Sequence, residues 1–145
     1  MSADISRIDQ WVYGVLGGDI TLAAAVSSRI YGDMAPQGAA MPLVLFSFLG
    51  GADKVLTLRT RLTNAIYLIR AVASGSSYNT AEAIADRMDL LLTSALPDLG
   101  TVVRDIRVSS CTREQPHQRK DMENGVPVVY LGGFYRIKYQ PLVVV

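Results

Sequence analysis

Apolar residues recur at three- and four-residue steps at Ile5, Ile8, Val12, Val15 and Leu16, with Ser2 ahead as a cap and Gly17-Gly18 behind as a stop. This spacing predicts an amphipathic first helix from Asp4 to Leu16. Asp19 reads as the N-cap of a second, shorter helix to about Ser28, with Leu22, Ala25 and Val26 as its apolar face. The two make a helical hairpin. The segment RIYGDMAPQGAAMPLVLFSF, Arg29 to Phe48, then breaks the periodicity with Pro36, Gly38 and Pro42 and forms a rigid elbow. From Leu43 to Leu49 the hydrophobicity is nearly continuous, as expected of a strand covered on both faces, and Gly50-Gly51 ends it. Leu56, Leu58 and Leu62 alternate with Thr57, Arg59 and Arg61 ahead of a further strand-like run, Ala65 to Ala73; a hairpin and one long bent strand fit equally well.

SGSSYNTAEAIADRMDLLLTSALPDLG begins as a Gly/Ser loop and becomes the clearest helix in the chain. Asn79 and Glu82 stand in capping-box spacing, Ala81, Ile84, Ala85, Met88, Leu91, Leu92 and Ala95 share one face, and Pro97 and Gly100 end it. Thr101 to Cys111 reads as a strand, the polar segment Thr112 to Gly125 as a long charged loop, and Val126 to Tyr139 as a last strand region. In that region Tyr135, Ile137 and Tyr139 alternate with Phe134, Arg136 and Lys138, and Gly132-Gly133 interrupts the alternation as a bulge would. The order is α-α-β-β-β-α-β-β without an internal repeat. It predicts a single α+β domain over residues 1–145, a mostly antiparallel β-sheet flanked on one side by α-helices.

Half of the residues are hydrophobic, 19% are charged and the mean hydropathy is +0.24, a surplus of apolar surface that must be buried. The longest apolar run, Ala39 to Phe46, is far shorter than the roughly 18 residues of a membrane span. MSADISRIDQ has no basic segment ahead of an apolar block and does not read as a signal peptide. Contact with other protein chains is the remaining outlet. A formal charge of +1 makes no electrostatic case for nucleic-acid binding. The lone Cys111 cannot form an intramolecular disulfide and reads as a buried thiol without a role, in a reducing compartment.

Candidate chemistry is sparse. His117 is the sole histidine and reads as a solvated loop residue, and nothing in the chain between them makes Cys111 and His117 converge as a thiolate pair. One Cys and one His cannot supply the N/S set that zinc prefers, and Asp86 and Asp89, beside Arg87, read as a solvated helix face. Neither GxxxxGK[ST] nor GxGxxG occurs. Arg59, Arg61 and Arg70 lie in strand-like runs, the first two on one face, and read as solvated rather than phosphate-gripping. The expectation is no catalytic, cofactor-binding or metal-binding residue, hence not an enzyme. In the Thr112 to Gly125 segment Arg113, Arg119 and Lys120 balance Glu114, Asp121 and Glu123, a set suited to salt-bridging a neighbouring copy.

A helical start, then the elbow with Arg29-Ile30-Tyr31, Ala35-Pro36-Gln37-Gly38-Ala39 and Pro42, then paired strands and a helix carrying Ala81, Ala83, Ala85 and Asp86, resembles the tail-completion and tail-terminator proteins of long-tailed bacteriophages over most of the chain. The resemblance implies a structural virion protein with no catalytic residue and no cofactor. Such a subunit joins a ring, usually of six copies, that caps the tail tube and offers the surface to which the head attaches. Its implied partners are itself, the tail tube protein and a neck or head-completion protein. DNA would pass through the channel without specific binding, and the protein would be assembled in the host cytoplasm into the phage tail. Family members tend to have a shorter connection before an aromatic-rich last strand, whereas this chain carries Thr112 to Gly125 there. Interface candidates are Arg29, Tyr31, Met34, Pro36, Gln37 and Met41 in the elbow, Arg59 and Arg61, and Arg113, Glu114, Arg119, Lys120, Asp121 and Glu123. Pro36 and Pro42 restrict the backbone on either side of Gly38, so Tyr31, Met34 and Met41 would be presented at small entropic cost. Two other readings stay open: a head-tail connector or neck protein, and a small α+β hydrolase or ligand-binding domain, which would need a concave pocket with convergent polar groups.

Overall fold

The computed structural model describes residues 2–55, 61–94, 101–103 and 106–141, with side chains for 6–52, 63–94 and 106–140. Helices α1 (Ser2–Gly17) and α2 (Ile20–Val26) precede strands β1 (Ile30–Gly32), β2 (Leu43–Val55) and β3 (Arg61–Ser74). Helix α3 (Asn79–Ser94) and strands β4 (Thr101–Val103), β5 (Ile106–Glu123) and β6 (Val126–Pro141) follow. The strands form one sheet in the order β1-β2-β3-β6-β5-β4. Every neighbouring pair is antiparallel except β1 with β2. This is the α+β class and element order read from the sequence, with the Thr101 to Cys111 region divided between β4 and β5.

The helices cover one face of the sheet because each buries a single stripe. Ile8, Val12 and Leu16 of α1, Leu22 and Val26 of α2, and Ala81, Ile84, Met88 and Leu92 of α3 meet every second residue of β3, from Ala65 to Ala73, and Val129, Tyr135, Ile137 and Tyr139 of β6. Asp19 caps α2 as its position predicts, accepting from Leu22 N at 2.8 Å, and the same carboxylate takes a two-pronged contact from Arg87 of α3 at 2.9 and 2.6 Å. The Arg87 contact and the Leu22 amide hold Asp19 below the usual carboxylate range. Helix α3 begins one step earlier than the capping-box spacing implies. Asn79 is already helical, Glu82 N–H reaches the Tyr78 carbonyl, and the Ser77 hydroxyl accepts from Asn79 N at 3.2 Å. The proposed stop at Pro97 and Gly100 and the segment from Leu56 through Arg59 to Thr60 lie outside the described residues.

Two buried tyrosines bring hydroxyls into the helix-facing core, and helix carboxylates accept from them: Tyr67 donates to Asp9 and Tyr135 to Asp89 at 2.9 Å. Burial raises the Asp9 carboxyl above its ordinary 3.8, and the Tyr67 bond only partly offsets this. The folded chain therefore binds this proton more readily than the unfolded one, so the Asp9 contribution to stability grows as pH falls from the raised value towards 3.8. Urea melts across this window should show wild type losing ground to Asp9→Asn as pH rises. A difference between the two that is constant with pH would contradict the assignment.

Three boundaries differ from the sequence reading. β2 does not stop at Gly50-Gly51 but runs to Val55 through a register shift between Phe48 and Gly50. The pairing of β3 with β6 passes unbroken through Gly132-Gly133, while the shifts fall in β5, at Val108/Ser110 and Arg113/Gln115. Residues 112–123 are not a loop: they are the outer part of β5, paired with β6 down to Glu123↔Val126. Asn124 and Gly125 alone make the turn, with φ of 52° and 76°, the left-handed pair that a two-residue hairpin requires. Beyond Val108 the outer side of β5 has no strand partner among the described residues, so polar side chains and Pro116 are tolerated there.

Candidate assembly surface

The face of the sheet away from the helices carries its own, smaller apolar cluster. Leu43, Val72, Val128 and Tyr130 are buried, and Tyr31, Ala35, Ala39, Met41 and Leu45 pack against them. Tyr31, Ala35, Ala39 and Met41 come from the part of the elbow ahead of β2, which folds back across that strand. It is tied down at both ends: Arg29 Nε donates to the Pro42 carbonyl at 3.0 Å, Asp33 N to the Phe46 carbonyl at 2.8 Å, and Ala39 N closes a turn on the Pro36 carbonyl at 3.0 Å. The near-continuous hydrophobicity of 43–46 follows, since Val44 and Phe46 face the helices while Leu43 and Leu45 face the elbow.

Sheet order then brings the hairpin tip alongside the elbow. Between them lies a cavity of about 600 Å³ walled by elbow residues 33–39 and Met41, by Leu43, Leu45 and Val72, and by Glu123, Asn124, Val126 and Val128 of the tip, with Tyr130 at its floor. Met34 is 79% exposed at its rim and Val126, at the tip, 49%. Exposed apolar side chains gathered round a cavity are what a partner would cover.

The predicted contact residues separate on this frame. Met34, Pro36, Gln37, Met41 and Glu123 line the same cavity. Tyr31 packs beside it, and Arg29 anchors the elbow from below. Hairpin pairing divides the remaining charges between the two faces and gives them partners within the chain. Arg113 approaches Asp89 at 3.8 Å and Lys120 lies 5.0 Å from the Tyr78 ring centre on the helix side. Glu114 accepts from Arg136 at 2.8 Å, Arg119 pairs with Asp121 at 2.8 Å, and Glu123 accepts from the Tyr130 hydroxyl. Arg59 and the Arg61 side chain lie outside the described residues.

Sequence reasoning missed Tyr130, whose ring lies between Arg70 and Arg119, their guanidinium carbons 4.8 and 4.7 Å from its centre. The Asn124-Gly125 pair was the available signal, since a two-residue turn there extends the alternation of β6 back to Val126 and places Tyr130 opposite Arg119. His117, expected in a solvated loop, is instead a half-buried strand residue in edge contact with Phe134 at 5.6 Å. Burial and the charges of Arg70 and Arg119 hold its pKa below 6.5. Cys111 points into the helix-facing core, on the other face from His117, and burial pushes its thiol up to about 12. The described residues contain no group of three or more His, Cys, Asp or Glu able to hold a metal ion, and none of their helices is long and apolar enough to cross a membrane.

No protein-family profile matches the sequence, and no curated protein matches it. A chain in a solved structure described as "Virion of native gene transfer agent (GTA) particle" has the same fold, with a TM-score of 0.63 over 89% of this chain and 91% of that one, at 21% identity. The likeness is one of fold. It extends over nearly the whole of both chains, helices and sheet together.

Proposed function

We propose that this chain is a structural virion protein of a phage-like particle, a tail terminator that closes into a ring on the end of the tail tube and offers a surface to the head side. The carrying observation is the fold shared, almost end to end, with a chain of a gene transfer agent virion. The apolar surplus of the sequence and the elbow–hairpin surface support the same reading. A closed ring joins two different patches of each subunit, and a preorganised elbow beside a hairpin tip is suited to be one of them. Six copies is the expected number. The mode of action is adhesion and shape, not catalysis, and a net charge of +1 suits a channel that DNA passes without being gripped.

Light scattering on the purified protein, alone and mixed with its tube protein, tests the proposal. A ring-sized mass in either sample is expected, because a subunit that is monomeric alone can still assemble on its partner by mass action. A monomer in both samples overturns the terminator assignment, and a mass gain only with a neck protein moves the subunit to the portal side.

A further inference from the structure

The cavity between the elbow and the hairpin tip is walled mostly by apolar side chains, among them Met34, Met41, Leu45, Val126 and Val128. Its charged wall residues, Asp33 and Glu123, are both acidic, so it repels an anion, and Glu123 is already engaged by the Tyr130 hydroxyl. The hydrogen bonds that tie down the elbow hold this wall in place before anything binds. A volume of about 600 Å³ is enough to enclose a few side chains of an uncharged segment.

The sequence supplies such a segment directly after β6. Residues 142–145 read LVVV, four apolar residues in a row, three of them β-branched and suited to an extended backbone. They lie outside the described residues, but their point of attachment is fixed, since Pro141 stands opposite Ile106 of β5. That is the far end of the sheet from the cavity. Of the strand residues in the cavity wall, Leu45 is nearest to that end, and through Arg70 it stands level with Gly132. The stretch of β6 from Gly132 to Pro141 covers about 30 Å, whereas four residues reach at most about 14 Å. A chain therefore cannot fill its own cavity with this segment. We propose that the elbow–hairpin cavity receives residues 142–145 of a second copy. Donor and acceptor then sit at opposite ends of one sheet, the two unlike patches that a head-to-tail contact joins. This deepens the ring reading and rests on it.

Two full-length variants and one peptide test this. Val143→Asp/Val145→Asp spoils the donor, and Met34→Asp/Val126→Asp spoils the acceptor at two exposed wall positions. The probe is a fluorescein-labelled peptide of residues 138–145, KYQPLVVV, followed by fluorescence anisotropy. It should bind the donor variant, whose cavity is intact, and bind the acceptor variant at least about tenfold more weakly, because an aspartate buried against valine has no partner. In sedimentation with the tube protein present, neither variant should reach the mass of the wild-type assembly. Their equimolar mixture should stop at pairs, one donor in one acceptor. Equal peptide affinity for the two variants overturns the cavity as the site, and a wild-type mass from either variant overturns the second copy as donor. A donor variant that binds no peptide and has a lowered urea midpoint overturns the proposal by returning residues 142–145 to their own chain. Peptide binding in a wild-type chain that never associates overturns the ring reading and the donor together, and leaves the cavity standing as a site for an apolar segment.

Discussion

Gly132→Ala lowers the stability of the fold by about 3 kcal/mol or more. A Cβ at this position would lie 2.0 Å from the Ile69 carbonyl oxygen and 2.7 Å from the Arg70 Cα. Both are backbone atoms of β3, so no rotamer change relieves the clash. The relief is separation of β3 from β6, the pairing that joins the two halves of the sheet and supports the cavity. Urea unfolding followed by the fluorescence of the single tryptophan, Trp11, measures the effect. Gly14→Ala is the control, because a Cβ there meets nothing within 4 Å and alanine is the better helix former. Equal midpoints for the Gly132 variant and wild type would show that β3 and β6 do not approach as described.

Trp11→Ala costs about 4 kcal/mol, and Trp11→Phe costs a small part of that. The indole is 2% exposed among the helix-facing core residues, so truncation opens a cavity that its neighbours cannot fill. Its Nε1 is buried without a hydrogen-bond partner, so the indole N–H is a liability, and phenylalanine removes the unpaired donor while keeping most of the apolar volume. Chemical denaturation monitored by circular dichroism separates the two, since both variants lack the fluorophore. Equal losses would mean that the indole nitrogen has a partner after all. Both substitutions act on the layer opposite the elbow, so Trp11→Phe should leave the mass of any assembly with the tube protein unchanged.

Where one buried stripe governs an element, the sequence was legible. α1 and α3 follow their three- and four-residue apolar steps, Asp19 caps α2, and Tyr135, Ile137 and Tyr139 alternate inward on β6. The candidate site was half legible. Proline and glycine marked the elbow as rigid, and Met34, Pro36, Gln37 and Met41 do line a cavity. Its other wall was not readable, because 112–123 has water on most of both faces, so strand and loop carry the same polar composition.

The sequence by itself determined the α+β class, the order of the elements and the apolar stripes that put helices on one face of a mostly antiparallel sheet, because each of these follows from periodicity within a short stretch of chain. Only the tertiary structure decided that the elbow covers the sheet's other face and meets the tip of the hairpin. That meeting depends on the order β1-β2-β3-β6-β5-β4, which sets β6 against β3 and so brings residues near 35 beside residues near 125. The same order places Arg70, Gly132 and His117 in one row. Such long-range pairing is chosen by the packing of whole strands against one another, and no local pattern in the chain encodes it.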